Sequence, residues 1–233
     1  MLSARLTDTF GAPEVVRALY LIERRLELPG WDEPVFLART LGSGCRAWLK
    51  CSDGSAESSQ RLVDETVLHA KLGHPHILQL AGDGALDPAV CLAYRWEVEA
   101  PLSGGKPKRR GETGPLRIAA ALLDVIGFLQ QSDLPIAHCR LALDALWVTH
   151  EISWLKLAGF GRAHEGADEE ALAADRRMAW QIIREQAAGG GSKGAKGALD
   201  SAGLAWVEQG APQAEGLRDA LRLEMVEHVA ADL

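Results

Sequence analysis

The chain has 233 residues, 47% hydrophobic and 24% charged, with a formal net charge of −7. That length supports one or two compact units with a sizeable core, and the composition is that of an ordinary globular protein. The acidic balance argues against nucleic acid as the main partner, no apolar run approaches the ~20 residues of a membrane span, and the N-terminus lacks the apolar stretch of a secretory signal. Four cysteines, at 45, 51, 91 and 139, form no Cys-x-x-Cys pair and no metal-ligand rhythm. The first three lie in strand-like apolar runs, so buried reduced thiols and a cytoplasmic setting are expected.

In chain order, Pro13 to Leu28 has apolar residues at 15, 16, 19, 22 and 26, which is helical spacing. Pro13 suits a first helical turn, and Leu26 to Leu28 can run on as strand. Residues 1–25 are therefore expected to be an N-terminal helical extension. Pro34–Thr40 and Cys45–Cys51 read as strands joined by a hairpin turn at Leu41-Gly42-Ser43-Gly44. Ser58–Leu72 reads as a helix, and His76–Leu80 and Ala89–Tyr94 as two further strands. Pro101–Gly114 is a Gly/Pro/basic linker whose run Lys106 to Arg110 reads as a solvated loop. Leu116–Gln131 is an apolar helix, and short strands are expected at Leu146–Val148 and Trp154–Leu157. Leu172–Gln186 is a helix, Gly189–Gly197 a flexible loop, and two helices close the chain near Ala202–Gln209 and Ala214–Ala231. The acidic run Glu165–Glu170 reads as a solvated loop or a helix start. Most of the seven tryptophans are expected in the core.

Two stretches carry the chemistry: Ile136–Val148 (I-A-H-C-R-L-A-L-D-A-L-W-V) and Lys156–Gly161 (K-L-A-G-F-G). In order and spacing they resemble the H-R-D-L-x-x-x-N and D-F-G signatures of protein kinases. His138-Cys139-Arg140-Leu141 falls on H-R-D-L, Ala145 on the asparagine, and Gly159-Phe160-Gly161 on D-F-G. Ala47-Trp48-Leu49-Lys50 resembles V-A-I-K, and Glu65 stands where a kinase places the helix glutamate that pairs with that lysine. His74-Pro75-His76-Ile77 resembles the H-P-N-I turn, and Tyr94 falls at the gatekeeper position. Asp175 resembles the aspartate that holds the catalytic-loop backbone, and His138 and Phe160 fall on packed structural positions. The resemblance covers residues 26–186.

It implies an α+β, two-lobed protein kinase-like fold. A small antiparallel-sheet N-lobe with one helix would occupy residues 26–100, a hinge loop 101–114, and a shortened, mostly helical C-lobe 115–233. It also implies that catalysis is lost. A kinase uses the H-R-D aspartate as base and the asparagine and D-F-G aspartate as magnesium ligands. Arg140 accepts no proton near neutral pH, and Ala145 and Gly159 cannot coordinate a cation. Asp144 can in principle reach a metal or a hydroxyl, but its family counterpart faces away from the site. Where the phosphate loop belongs, near Pro29–Pro34, only Gly30 remains; Trp31 is bulky, and Asp32 and Glu33 repel phosphate. Gly42-Ser43-Gly44 lies too close to Lys50 to serve instead. No A-P-E occurs, and only thirteen residues separate Gly161 from Asp175.

The function implied is that of a pseudokinase, a binding scaffold or allosteric regulator for a protein partner, with no nucleic acid or membrane partner and no metal. No cofactor is expected beyond weak, metal-free ATP binding at Lys50, Glu65, Gly30 and Tyr94. Lys50–Glu65 reads equally as a structural brace, and Arg140 as pairing with Asp175 or Glu65 or as solvated. The alternatives are an atypical phospho- or nucleotidyltransferase built on Lys50, Glu65 and Asp144, and a metal-independent nucleotide sensor.

Overall fold

The computed structural model describes residues 11–28, 31–81, 87–102, 114–149, 155–187 and 193–231. Gly30, Trp154 and the basic run 106–110 lie outside them. The chain is α+β and divides into two compact units: residues up to Lys71 with Gln79–Trp96, and Leu72–Leu78 with Glu97 onward.

The first unit is a four-stranded antiparallel sheet, β1 (Tyr20–Leu26), β2 (Val35–Thr40), β3 (Arg46–Cys51) and β4 (Cys91–Arg95), in that spatial order. Two helices join it, α1 (Glu14–Leu19) and α2 (Ala56–His69). The β2–β3 hairpin closes where Gly44 N–H donates to Thr40 O at 2.8 Å, with Gly44 at φ 71°. That left-handed angle is cheap for glycine and strained for other residues. One sheet face buries Tyr20, Phe36, Ala38, Leu49, Cys51 and Cys91 with Val16 of α1. The alternate residues of β3 and β4, including Trp48, Lys50 and Tyr94, lie on the other face, where Lys50 and Tyr94 both meet Glu65 of α2. Helix α2 begins at Ser55, whose hydroxyl accepts from Ser58 N–H at 3.1 Å, and buries Ser58, Leu62, Glu65, Leu68 and His69 along one stripe.

The N-terminal helical reading is corrected here. Among the described residues of this segment, helix occupies only Glu14–Leu19, and Tyr20–Leu26 is a strand. The cause is a register shift against β2 between Ile22 and Arg24. A one-residue bulge breaks the alternation of a strand, so its apolar residues mimic helical spacing. The expected strand at His76–Leu80 is also different: it makes only isolated bridges, Ile77 with Leu157 and Leu80 with Tyr94.

The second unit is mostly helical. Helix α3 (Gly114–Gln130) buries Leu116, Ile118, Leu122, Leu123, Val125, Ile126 and Leu129, nearly all round its axis, which makes it a core helix. Against it pack α4 (Glu169–Ala187) and α6 (Ala214–Ala231), and α5 (Lys193–Gln209) packs against both of those. Asp168 caps α4, its side chain accepting from Ala171 N–H at 2.9 Å, so the acidic run Glu165–Glu170 ends as a helix start. The flexible loop expected at Gly189–Gly197 is helical from Lys193 onward. A three-stranded antiparallel sheet, in the order β5 (Val98–Pro101), β7 (Leu146–Thr149), β8 (Leu155–Leu157), and a two-stranded one of β6 (Ile136–Ala137) and β9 (His164–Glu165) complete the unit. Among the described residues no helix is long and apolar enough to cross a membrane.

Arg176 of α4 is buried and fastens the helix ends. Its guanidinium donates to Val207 O at 3.1 Å and Gln130 Oε1 at 3.1 Å, and pairs with Glu169. Helices α4 and α5 meet at Trp180 and Gly203. A Cβ on Gly203 would stand 2.4 Å from the Trp180 ring. Gly203→Ala is therefore expected to destabilise the protein by about 1–3 kcal/mol through overpacking. A thermal melt reads this, and an unchanged Tm would show that the α4–α5 contact is looser than described.

Candidate functional site

In the first unit the site is built around one ammonium group. Lys50 is almost fully buried on β3, and its Nζ lies 2.6 Å from Glu65 Oε2 and 3.1 Å from Glu33 Oε2. Glu33 stands just before β2, where Val35 pairs directly with Lys50. Alternate residues of a strand share a face, so Glu33, two before Val35, reaches the lysine diagonally. Glu33 is buried too, and its second oxygen accepts from Arg61 Nε at 2.6 Å. The Trp31 ring closes the remaining side, its centroid 4.9 Å from Nζ, a cation–π contact.

Glu65 has further partners. Its other oxygen accepts from the Tyr94 hydroxyl at 2.5 Å, and His69 Nε2 lies 3.8 Å from it. Burial alone pushes the Glu65 carboxyl up, but Lys50, His69 and Tyr94 outweigh it and hold the group below its ordinary range. Burial and the Glu65 charge push the Tyr94 phenol well above its ordinary range, so it is a hydrogen-bond donor. The hydrogen bond to Glu33 raises Arg61, against the opposing effect of burial. Two carboxylates are thus matched by two cations in a region almost free of water.

The sequence points to Lys50, Glu65 and Tyr94 and to an acid repelling phosphate at Glu33, but not to Glu33 as a direct partner of Lys50, nor to Arg61 or His69. The signals were present. Arg61, Glu65 and His69 recur every four residues on one face of α2. The tight hairpin at Leu41–Gly44 fixes the β2–β3 register and hence the approach of Glu33.

In the second unit a loop from His138 to Ala145 is held by its backbone. Asp175 accepts from the N–H groups of His138 at 2.5 Å and Cys139 at 3.1 Å. His138 is buried; its Nε2 makes a hydrogen bond with Ala158 O at 3.0 Å, and its ring stands edge-on to Phe160 at 4.9 Å. Ala158 N–H donates to Ala145 O at 2.9 Å. Cys139 has φ 60°, a left-handed angle that is uncommon outside glycine. Gly159 is also left-handed, at φ 83° and ψ 45°. Burial pushes the Asp175 carboxyl up, and His138 with the two N–H groups pulls it back only in part.

Arg140 is half-buried beside this loop, and both Asp175 oxygens are engaged by the backbone. Asp144 is buried. Among the described residues no group of three or more His, Cys, Asp or Glu side chains is placed to hold a metal ion. No protein-family model matches the chain, and no curated protein matches it.

Two variants probe these arrangements. Lys50→Met leaves two buried carboxylates facing one guanidinium and is expected to cost about 3–5 kcal/mol, read by chemical denaturation. The double variant Lys50→Met/Glu65→Leu recovers part of that loss, because the orphaned charge is gone. Asp175→Ala strips the acceptor from the buried His138 N–H and the part-buried Cys139 N–H and is expected to cost about 1–3 kcal/mol, mostly at His138. Asp175→Asn, which keeps one acceptor oxygen, should fall between it and the native protein in the same melt.

Proposed function

We propose that the chain is a two-lobed, protein kinase-like protein without phosphotransfer activity, a pseudokinase that acts in the cytoplasm by binding a protein partner as scaffold or allosteric regulator. One observation carries the reading: Lys50, the residue that resembles the phosphate-holding lysine, is already occupied. Its ammonium donates to Glu65 at 2.6 Å and pairs with Glu33 at 3.1 Å, and the Trp31 ring lies against it. Both Glu33 and Trp31 come from the segment where a kinase has its glycine loop. A triphosphate reaching Lys50 must displace a carboxylate that is also bonded to Arg61, and must meet the negative charge of Asp32 beside it.

The loop at 138–145 supports the same reading from the other unit. Its shape is retained by Asp175, His138 and Phe160, while Arg140, Ala145 and Gly159 offer neither a proton acceptor nor a metal ligand. Losing general-base help is worth about 10²–10⁴ in rate, and losing Lewis-acid stabilisation several kcal/mol more. A fold retained without the reaction has binding as its remaining output.

The test is a thermal melt with ATP, once with magnesium and once with EDTA. A nucleotide at 100-fold its dissociation constant adds about 2.7 kcal/mol, a shift of several degrees in Tm. No shift in either condition is expected. A rise that requires magnesium would overturn the proposal in favour of an active transferase. An equal rise in EDTA would overturn it in favour of a nucleotide sensor.

A further inference from the structure

Away from that ion-pair cluster, on the opposite sheet face, two thiols lie in contact. Cys51 ends β3 and Cys91 begins β4, and the two are direct cross-strand partners. Their sulfurs are 2.9 Å apart, and both residues are buried in the core under α1. The pair is of the narrow, non-hydrogen-bonded kind: the flanking Ser52 N–H donates to Val90 O at 2.8 Å, and Cys51 N–H turns the other way, to Pro34 O at 2.9 Å. In such pairs the Cα atoms approach to about 4.5 Å, within the range a disulfide spans without backbone movement. Forming one needs the sulfurs to close only to about 2.05 Å. Both thiols are free.

We propose that Cys51 and Cys91 are a redox switch, closing to a reversible intrachain disulfide under hydrogen peroxide and stapling β3 to β4. In the first step one cysteine sulfur attacks a peroxide oxygen. The O–O bond breaks, the thiol proton leaves with the departing hydroxide as water, and a sulfenic acid forms. The neighbouring thiol then attacks that sulfur, the S–O bond breaks, and a second water leaves. Two thiols and one peroxide become one disulfide and two waters, with two electrons passing from sulfur to oxygen. A small thiol reverses the step by exchange.

Peroxide suits the location because it is close to water in size. Burial, with the Cys51 thiol beside it, holds the Cys91 thiol well above its ordinary range, so the pair rests as a dithiol. Reaction then follows opening of β4, the end strand of its sheet, whose outer side is covered only by the short segment around Leu80. The staple joins the strand carrying Lys50 to the strand carrying Tyr94, closing a loop between cysteines that stand 40 positions apart in the chain. It stabilises chiefly by restricting the unfolded chain.

The experiment uses the full chain. Exposed Cys45 and Cys139 are first alkylated in the folded state; the protein is then treated with hydrogen peroxide, denatured, and alkylated with a mass-distinct reagent. The proposal expects Cys51 and Cys91 to escape the second label together, a loss of 2 Da from the intact mass, a single linked peptide pair, and full recovery by dithiothreitol. It also expects a Tm several degrees higher after oxidation, absent in Cys51→Ser and Cys91→Ser. Second labelling of both residues to the level of the untreated protein would overturn it. So would sulfinic acid at either position without the linked pair.

Discussion

A buried ammonium is the constraint on which the first unit depends. Moving a charge out of water costs several kcal/mol even after the protein relaxes, so Lys50 is tolerable only if oppositely charged groups reach it. Glu65 alone would neutralise it. Glu33 adds a second negative charge, and that excess is met by Arg61, which bridges back to α2. The result is a buried group of two acids and two bases drawn from just before β2, from β3 and from two turns of α2, with exposed Glu57 as a further partner of Arg61. Removing Lys50 leaves more buried negative charge than Arg61 alone can balance. The set fixes the rotation of α2 over the sheet, because a helix turned by one residue would carry Arg61 and Glu65 off the strand face together. Ion pairs of this kind are weak sources of net stability compared with apolar packing, and here their effect is on geometry.

The second unit solves a related problem with backbone groups. The turn at His138–Cys139 points two N–H groups inward, and an inward N–H without an acceptor costs about as much as a lost hydrogen bond. Asp175 accepts both. The ring of His138 then reaches Ala158 O, and Phe160 packs edge-on against it. None of these contacts uses the side chains at 140, 145 or 159. On the proposed reading, that separation would let the loop keep its form whatever side chains stand at 140, 145 and 159. Shape is held by an acid on α4 and by main-chain polar groups, and chemistry would be held by side chains the scaffold does not need.

The α+β character, the β2–β3 hairpin and the bounds of α6 are legible from local patterns, since turn residues and helical periodicity act over a few residues. Two losses are instructive. At Tyr20–Leu26 a bulge removes the alternation that marks a strand, so a local rule selects the wrong period. At Lys193–Gly197 four closely spaced glycine and lysine residues read as linker, yet helix continues because α5 is held by tertiary packing, Leu199 and Trp206 being buried. In the site, Lys50 and Glu65 are visible as a spaced pair. Glu33 is visible as a misplaced acid, but its contact with Lys50 emerges only once strand register is imposed. The Cys51–Cys91 contact is not legible at all, because it depends on a pairing between strands 40 residues apart whose register no local signal sets.

On the proposed reading, Trp31-Asp32-Glu33 standing where a kinase has its glycine-rich phosphate loop amounts to more than the removal of a binding feature. Deleting glycines alone would leave Lys50 free to recruit an anion from solution. Supplying a carboxylate from the same chain changes the competition, because a tethered group acts at an effective concentration of about millimolar or above and has little rotational freedom left to lose. A free phosphate must match that local concentration and also displace Arg61 from the acid it holds. Burial sharpens the contrast, since neither Glu33 nor Lys50 regains much hydration when they part. On that reading the anion site is closed by its own occupant. A unit closed this way would present the same surface whether or not nucleotides are abundant, which is what the proposed binding role asks of it.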